Sequence, residues 1–150
     1  MKFSSRTEID APPGDVFDRL SDFDRIEDMG RERDISVERL DDRSGGPESA
    51  RWRIGFDYRG KSRVCDAEIA AYVPGEQIAA RGQLDGLAVL GNIELVQAEP
   101  GRTRMFCTIE LKPGSMRARL LVQSLKLAKG SLDKRFAKRL DQFGKRIAGA

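Results

Sequence analysis

The chain has 150 residues, 39% of them hydrophobic and 34% charged, with a formal net charge of +3. That length fits a single domain over 1–150, large enough to bury a core without disulfide or metal staples. It contains no histidine, which excludes the commonest general base, the histidine-based hydrolase triads and every histidine-containing metal motif.

No apolar run approaches ~18 residues, so no transmembrane segment is expected. Met1-Lys2-Phe3 leads straight into a strand pattern without the apolar core of a signal peptide, so a cytoplasmic location is expected. Cys65 and Cys107 are expected to be free thiols. They fall three strand spacings apart, roughly 14 Å and beyond disulfide reach. The charge is uneven. Residues 112–150 hold eleven Lys/Arg against Asp133 and Asp141, a local +9, which leaves −6 for the first 111 residues. Such a segment is either a solvated helix face docked on an acidic body or a surface for nucleic acid or acidic lipid. No aromatics interleave with its charges, so nucleic acid is not an expected partner.

Lys2–Ile9 reads as the first strand. Pro12 or Pro13 opens a short helix to about Leu20, because proline suits the first helical turn. Val16, Phe17 and Leu20 lie on one side of it. A second short helix is expected around Asp22–Asp28. Asp22, Asp24, Glu27 and Asp28 make an acidic cluster there, read as solvated and helix-capping, since its spacing matches no metal-binding loop. Ile35, Val37 and Leu40 mark a second strand that ends at the turn-rich "DDRSGGPES".

A meander follows. With Arg59-Gly60 as a two-residue turn, Arg51 stands opposite Glu68 and Arg53 opposite Asp66. With Pro74-Gly75 as the next turn, Arg81 also meets Glu68. These opposite-charge pairs fix the register, since a one-residue slip would send every side chain to the other face. The charged ladder is assigned to the wet face. The inward face then carries Trp52, Ile54 and Phe56, then Cys65, Ala67, Ile69 and Ala71, then Ile78, Ala80, Gly82 and Leu84. Asp85-Gly86 is a hairpin signal that sends Leu87, Val89, Gly91, Ile93 and Leu95 to the same face. A last strand, about 103–111, adds Met105, Cys107, Ile109 and Leu111. That parity requires an odd loop or a glycine bulge at Pro100-Gly101. Ser115 to Ile147 reads as one long helix, with Gly130 as the candidate bend. Its apolar stripe runs through Leu121, Leu125, Leu132, Phe136, Leu140 and Phe143. Met116, Leu120 and Leu127 form a second strip, expected to pack under the end of the meander or under a partner.

With "IDAPPGDVFDRLSDF" behind the first strand, the Asp-Gly hairpin, "RTRMFCTIELKP" as the last strand and a terminal helix, the chain resembles the START-like helix-grip superfamily. That group includes polyketide cyclase/dehydrase and lipid-transport proteins of the SRPBCC type. The likeness covers nearly the whole chain. It implies an α+β fold: a curved seven-stranded antiparallel sheet around a long C-terminal helix, with two short helices closing one end.

The inward rows Trp52–Ala67–Gly82–Val89 and Ala50–Ile69–Ala80–Gly91 contain several very small residues. They are compatible with tight helix packing or with a cavity, and the resemblance favours the cavity. Its expected ligand-binding lining is Trp52, Ile54, Phe56, Ala67, Ala80, Gly82, Gly91, Leu95, Met105, Leu132 and Phe136. Tyr58, Arg63 and Arg139 are candidate polar anchors, although either arginine could snorkel to solvent. The expected function is binding of a small hydrophobic or amphipathic molecule: a lipid, polyketide or quinone-like compound. The alternatives are a cyclase- or dehydrase-type enzyme and a non-catalytic interaction module using the basic helix. The missing histidine weighs against the enzyme. No catalytic residue, metal or cofactor is assigned.

Overall fold

The computed structural model describes residues 1–149. The elements run β1 (Lys2–Ile9), α1 (Pro13–Ser21), α2 (Phe23–Arg31), β2 (Ser36–Arg39), β3 (Arg51–Tyr58), β4 (Lys61–Val73), β5 (Gln77–Leu84), β6 (Leu87–Glu99), β7 (Arg102–Pro113), α3 (Met116–Leu127) and α4 (Lys129–Ala148). One antiparallel sheet is ordered β1-β7-β6-β5-β4-β3-β2. The meander is thus continuous from β2 to β7, and β1 returns beside β7. This is the expected α+β helix-grip arrangement.

Local chemistry explains the joints. Pro13 supplies the preset φ of a first helical turn, with Pro12 extended before it. Asp22 ends α1 and caps α2 by accepting from the backbone N–H of Arg25. The β3–β4 register pairs Arg51 with Glu68 and Arg53 with Asp66, as expected. Arg81–Glu68 at 3.1 Å and Arg53–Asp66 at 3.0 Å are exposed ion pairs, so the ladder lies on the wet face.

The β4–β5 turn differs from the two-residue expectation. A bulge between Ile69 and Ala71 shifts the register, and Val73 pairs with Gln77 across Pro74-Gly75-Glu76. Gly75 takes φ +79 in that turn. One extra residue on β4 reverses the parity beyond it. Tyr72 therefore faces inward in place of Ala71, and its ring meets Phe17 at 5.3 Å. The parity expected for β7 holds, but the extra residue is Ala98: Glu99 pairs with Arg102 across a two-residue Pro100-Gly101 turn, and the bulge between Gln97 and Glu99 keeps Met105, Cys107, Ile109 and Leu111 on the inner face.

The C-terminal helix is two helices. Ala128, with φ −105 and ψ 11, ends α3 and starts α4, two residues before the expected bend. Gly130 and Ser131 follow the break, and such pairs are frequent kink sites.

Apolar packing divides into two clusters. One joins Ile9, Val16, Phe17 and Leu20 with Leu95, Met105, Leu140 and Ile147, so the inner side of α1 closes that end of the sheet. The other joins Phe3, Leu87 and Leu111 with Ala118 and Val122 of α3. The long helix α4 lies along β1 rather than over the middle strands. Gly144 permits this, since a Cβ there would meet Thr7 Cγ2 at 3.0 Å.

Candidate functional site

Because α4 sits over β1, the inner face of β3 to β6 is left partly open. Ile54, Phe56, Ala67, Ala80 and Gly91 are only half-buried, and none belongs to either core cluster. A Cβ built on Gly91 would meet nothing closer than the Ala80 carbonyl at 4.0 Å. The space above the middle of the sheet is therefore free at that point.

Gly82 is different. A Cβ there would meet Cys65 Sγ at 2.8 Å, so the thiol of the diagonal neighbour already fills the place expected to be cavity floor. Leu95 and Met105 are fully enclosed in the α1–α4 cluster. Leu132 and Phe136 pack into the α3 cluster, with the Phe136 ring 6.5 Å from Phe3.

Trp52 packs against the second plug helix. Its ring meets Phe23 of α2 edge-on at 5.2 Å, and its Nε1 donates to Glu27 Oε2 at 3.2 Å. Arg39 donates to the same oxygen and, through Nε, to Asp41. Its guanidinium stacks over both Phe23 and Trp52. Glu27 is only 6% exposed, so it is not part of a solvated acidic cluster. A carboxylate this buried needs partners, and Arg39 and Trp52 supply them. The Arg39 hydrogen bonds hold the Asp41 carboxyl well below the usual carboxylate range, helped by the backbone N–H of Arg51. Asp41 in turn raises Arg39 above its ordinary value.

The polar anchors are placed as follows. Arg63 lies opposite Phe56, pairs with Asp85 at 2.9 Å and approaches the Tyr58 ring at 5.9 Å. Its Nε is buried without a partner. A small pocket of about 230 Å³ adjoins it, lined by Lys61, Arg63, Asp85, Arg117, Ala118 and Leu121. Arg139 is exposed and lines a groove of about 470 Å³ between α2 and α4 with Ile26, Met29 and Phe143. A concavity of about 800 Å³ lies over the opposite face, among outward residues such as Arg51, Arg53, Asp66, Glu68, Arg81 and Leu90, and Trp52, Ala67 and Gly82 also border it. It is an open charged trough, not the apolar cleft expected on the inner side.

Burial pushes both thiols up, Cys65 with help from the Asp66 charge and Cys107 to about 11. Both are free, and neither is activated as a nucleophile.

Sequence reasoning missed Tyr72 and the Glu27–Arg39–Asp41 network. Glu27 stands four residues after Phe23, hence on the same helical face, and that spacing was the available signal. Nothing local marks the bulge that turns Tyr72 inward.

A curved antiparallel sheet, plugged at one end by two short helices and gripping a terminal helix, with an apolar inner face left partly open, defines a helix-grip domain. The chain belongs to the polyketide cyclase/dehydrase and lipid-transport family, whose model matches residues 1–148. Solved structures show the same fold at low identity. TTHA0849 from Thermus thermophilus is 16% identical with a TM-score of 0.70, covering 99% of this chain and 98% of that one. The ZhuI aromatase/cyclase from Streptomyces sp. R1128 is 15% identical with a TM-score of 0.63, covering 93% of each. A START superfamily protein from Mycobacterium smegmatis is 22% identical with a TM-score of 0.58, covering 93% and 98%. No curated protein matches the sequence at a significant level.

Proposed function

We propose that the protein is a cytoplasmic binding protein for a small amphipathic molecule of lipid, polyketide or quinone-like chemistry. The ligand lies against the open inner face of β3 to β6. The observation that carries this reading is the uncovered apolar set of Ile54, Phe56, Ala67, Ala80 and Gly91, with free space above Gly91. An apolar row inside a sheet normally has a helix on it; here neither core cluster includes these residues. Trp52, Leu95, Met105, Leu132 and Phe136 bound the region. Gly82 contributes backbone only. Arg63 supplies the polar end, since its unpartnered Nε would donate a hydrogen bond to a carboxylate or carbonyl oxygen. Tyr58 stands beside it, and Arg139 flanks the outer groove. Family membership supports the same reading.

The test is Gly91→Leu, measured for stability and for uptake of an environment-sensitive fluorescent fatty acid. The expected result is a folded variant with uptake lost. Gly82→Leu serves as the contrast, since displacing Cys65 costs about 1–3 kcal/mol of overpacking. A parent protein that takes up no probe, together with a Gly91→Leu variant as destabilised as Gly82→Leu, would mean that the region is solid core.

A further inference from the structure

α3 is apolar on two opposite sides. Ala118 and Val122 are buried, with Leu121 and Leu125 packed beside them against Phe3, Leu87 and Leu111. On the other side Met116 is 72% exposed, Leu120 61% and Leu127 93%. At 3.6 residues per turn these three fall within roughly 40° of one another, so they form a single stripe. The meander does not cover it. Arg119 and Lys126 flank one margin of the stripe and Arg117 the other. All three are exposed, and none makes an ion pair among the described residues. From Lys112 to Leu132 the chain holds five Lys/Arg and no Asp or Glu.

We propose that this outward face of α3 docks the protein on an anionic lipid surface. An apolar stripe lying between rows of cations is the pattern of a helix that rests in the plane of a bilayer interface. Apolar side chains enter the acyl boundary while Lys and Arg meet the headgroups. The charge pattern selects this occupant over a second copy of the chain. Self-association through this face would bring two sets of cations together, and the acidic residue beside them, Asp85, is already paired with Arg63. Nucleic acid would use the cations but leave Leu120 and Leu127 without a role. The pocket beside Arg63 is lined partly by Arg117, Ala118 and Leu121 of α3. Docking would therefore set that end of the inner face close to the lipid.

Leu120, Leu127, Arg119 and Lys126 do not line the pocket beside Arg63, so vesicle binding by their variants tests the α3 surface and dye uptake tests the cleft. The experiment is sedimentation of the full chain with vesicles of phosphatidylcholine alone or mixed with phosphatidylserine. Binding is expected only to the mixed vesicles, with release in high salt as the Debye length shrinks from ~10 Å at 0.1 M to ~3 Å at 1 M. Leu120→Glu/Leu127→Glu should weaken binding at least about tenfold, and Arg119→Glu/Lys126→Glu independently by a similar factor. Circular dichroism should stay unchanged in both, because the replaced side chains are exposed. Absence of binding to the mixed vesicles, or full binding by either double variant, overturns the proposal. So does a solution dimer that Leu120→Glu/Leu127→Glu dissociates, or tighter retention by a single-stranded nucleic acid than by the vesicles.

Discussion

Trp52 Nε1 donates to Glu27 Oε2 at 3.2 Å, and this contact joins the inner face of the sheet to the second plug helix. Arg39 shares that acceptor, so β2, β3 and α2 converge on one buried carboxylate oxygen. Arg146 makes a second tie, donating to both oxygens of Glu32 at the end of α2. Arg19 of α1 donates to the carbonyls of Ile147 and Ala148, satisfying orphan acceptors at the end of α4. The plug is thus held to both the sheet and the terminal helix by named polar contacts.

Removing the shared acceptor orphans two donors at once. Glu27→Ala should lower stability by about 2 kcal/mol, the usual range for buried donors left unsatisfied. Glu27→Gln should cost less, because its amide oxygen can still accept from Trp52. Urea denaturation midpoints compare the three proteins. A Glu27→Ala midpoint equal to the parent's would show that α2 docks without this carboxylate.

Asp41 carries an acid-side prediction. Its folded-state pKa is depressed by Arg39, so the unfolded chain takes up the proton at higher pH than the folded one. The associated stability is complete above the unfolded value of ~3.9 and is lost as pH falls below it. Asp41→Asn should flatten that acid limb in a titration of unfolding free energy against pH. A variant with the parent's acid limb would remove Asp41 from the account.

Gly144 sets how closely α4 approaches β1. Gly144→Val should cost about 1–3 kcal/mol or more, because its side chain meets Thr7 and Ile9 in packed space. Gly130→Ala, where a Cβ meets nothing within 4 Å, should be neutral or stabilising by up to ~1 kcal/mol. Thermal unfolding of the two variants decides this; similar midpoints would mean that α4 is not seated as described.

Cys107 should resist alkylation in the folded protein. Its thiol is raised to about 11 by burial, so at pH 8 little thiolate forms until the chain unfolds. The sign for stability follows. The contribution is intact below the unfolded value of ~8.5 and is lost as pH rises through the folded one. Peptide mapping after iodoacetamide treatment, with and without urea, gives the comparison. Rapid labelling of Cys107 without urea would mean that β7 is not covered.

Much of the sheet was legible in the sequence because its determinants are local. The turns at Arg59-Gly60 and Asp85-Gly86 are each a single dipeptide, and the cross-strand charges of Arg53 and Asp66 sit 13 residues apart on one hairpin. They set strand count, register and face together. The need for an extra residue before β7 was readable for the same reason, since parity demanded it, although it falls at Ala98 rather than at the Pro100-Gly101 turn.

The candidate site depended on contacts the sequence does not encode at short range. The β4 bulge turns Tyr72 inward because Phe17, more than fifty residues earlier, packs against it. Glu27 is buried because β2 and β3 bring Arg39 and Trp52 to it. Cys65 occupies the space beside Gly82, whereas Gly91, on the same face, opens into free space. Which small residues floor a cleft was decided by where the helices came to rest. The chain broke at Ala128, α3 settled on Phe3 and Leu87, and α4 lay along β1 at Gly144. Period two in a strand shows which side chains share a face; only the placement of the covering helix determines which of them are left uncovered.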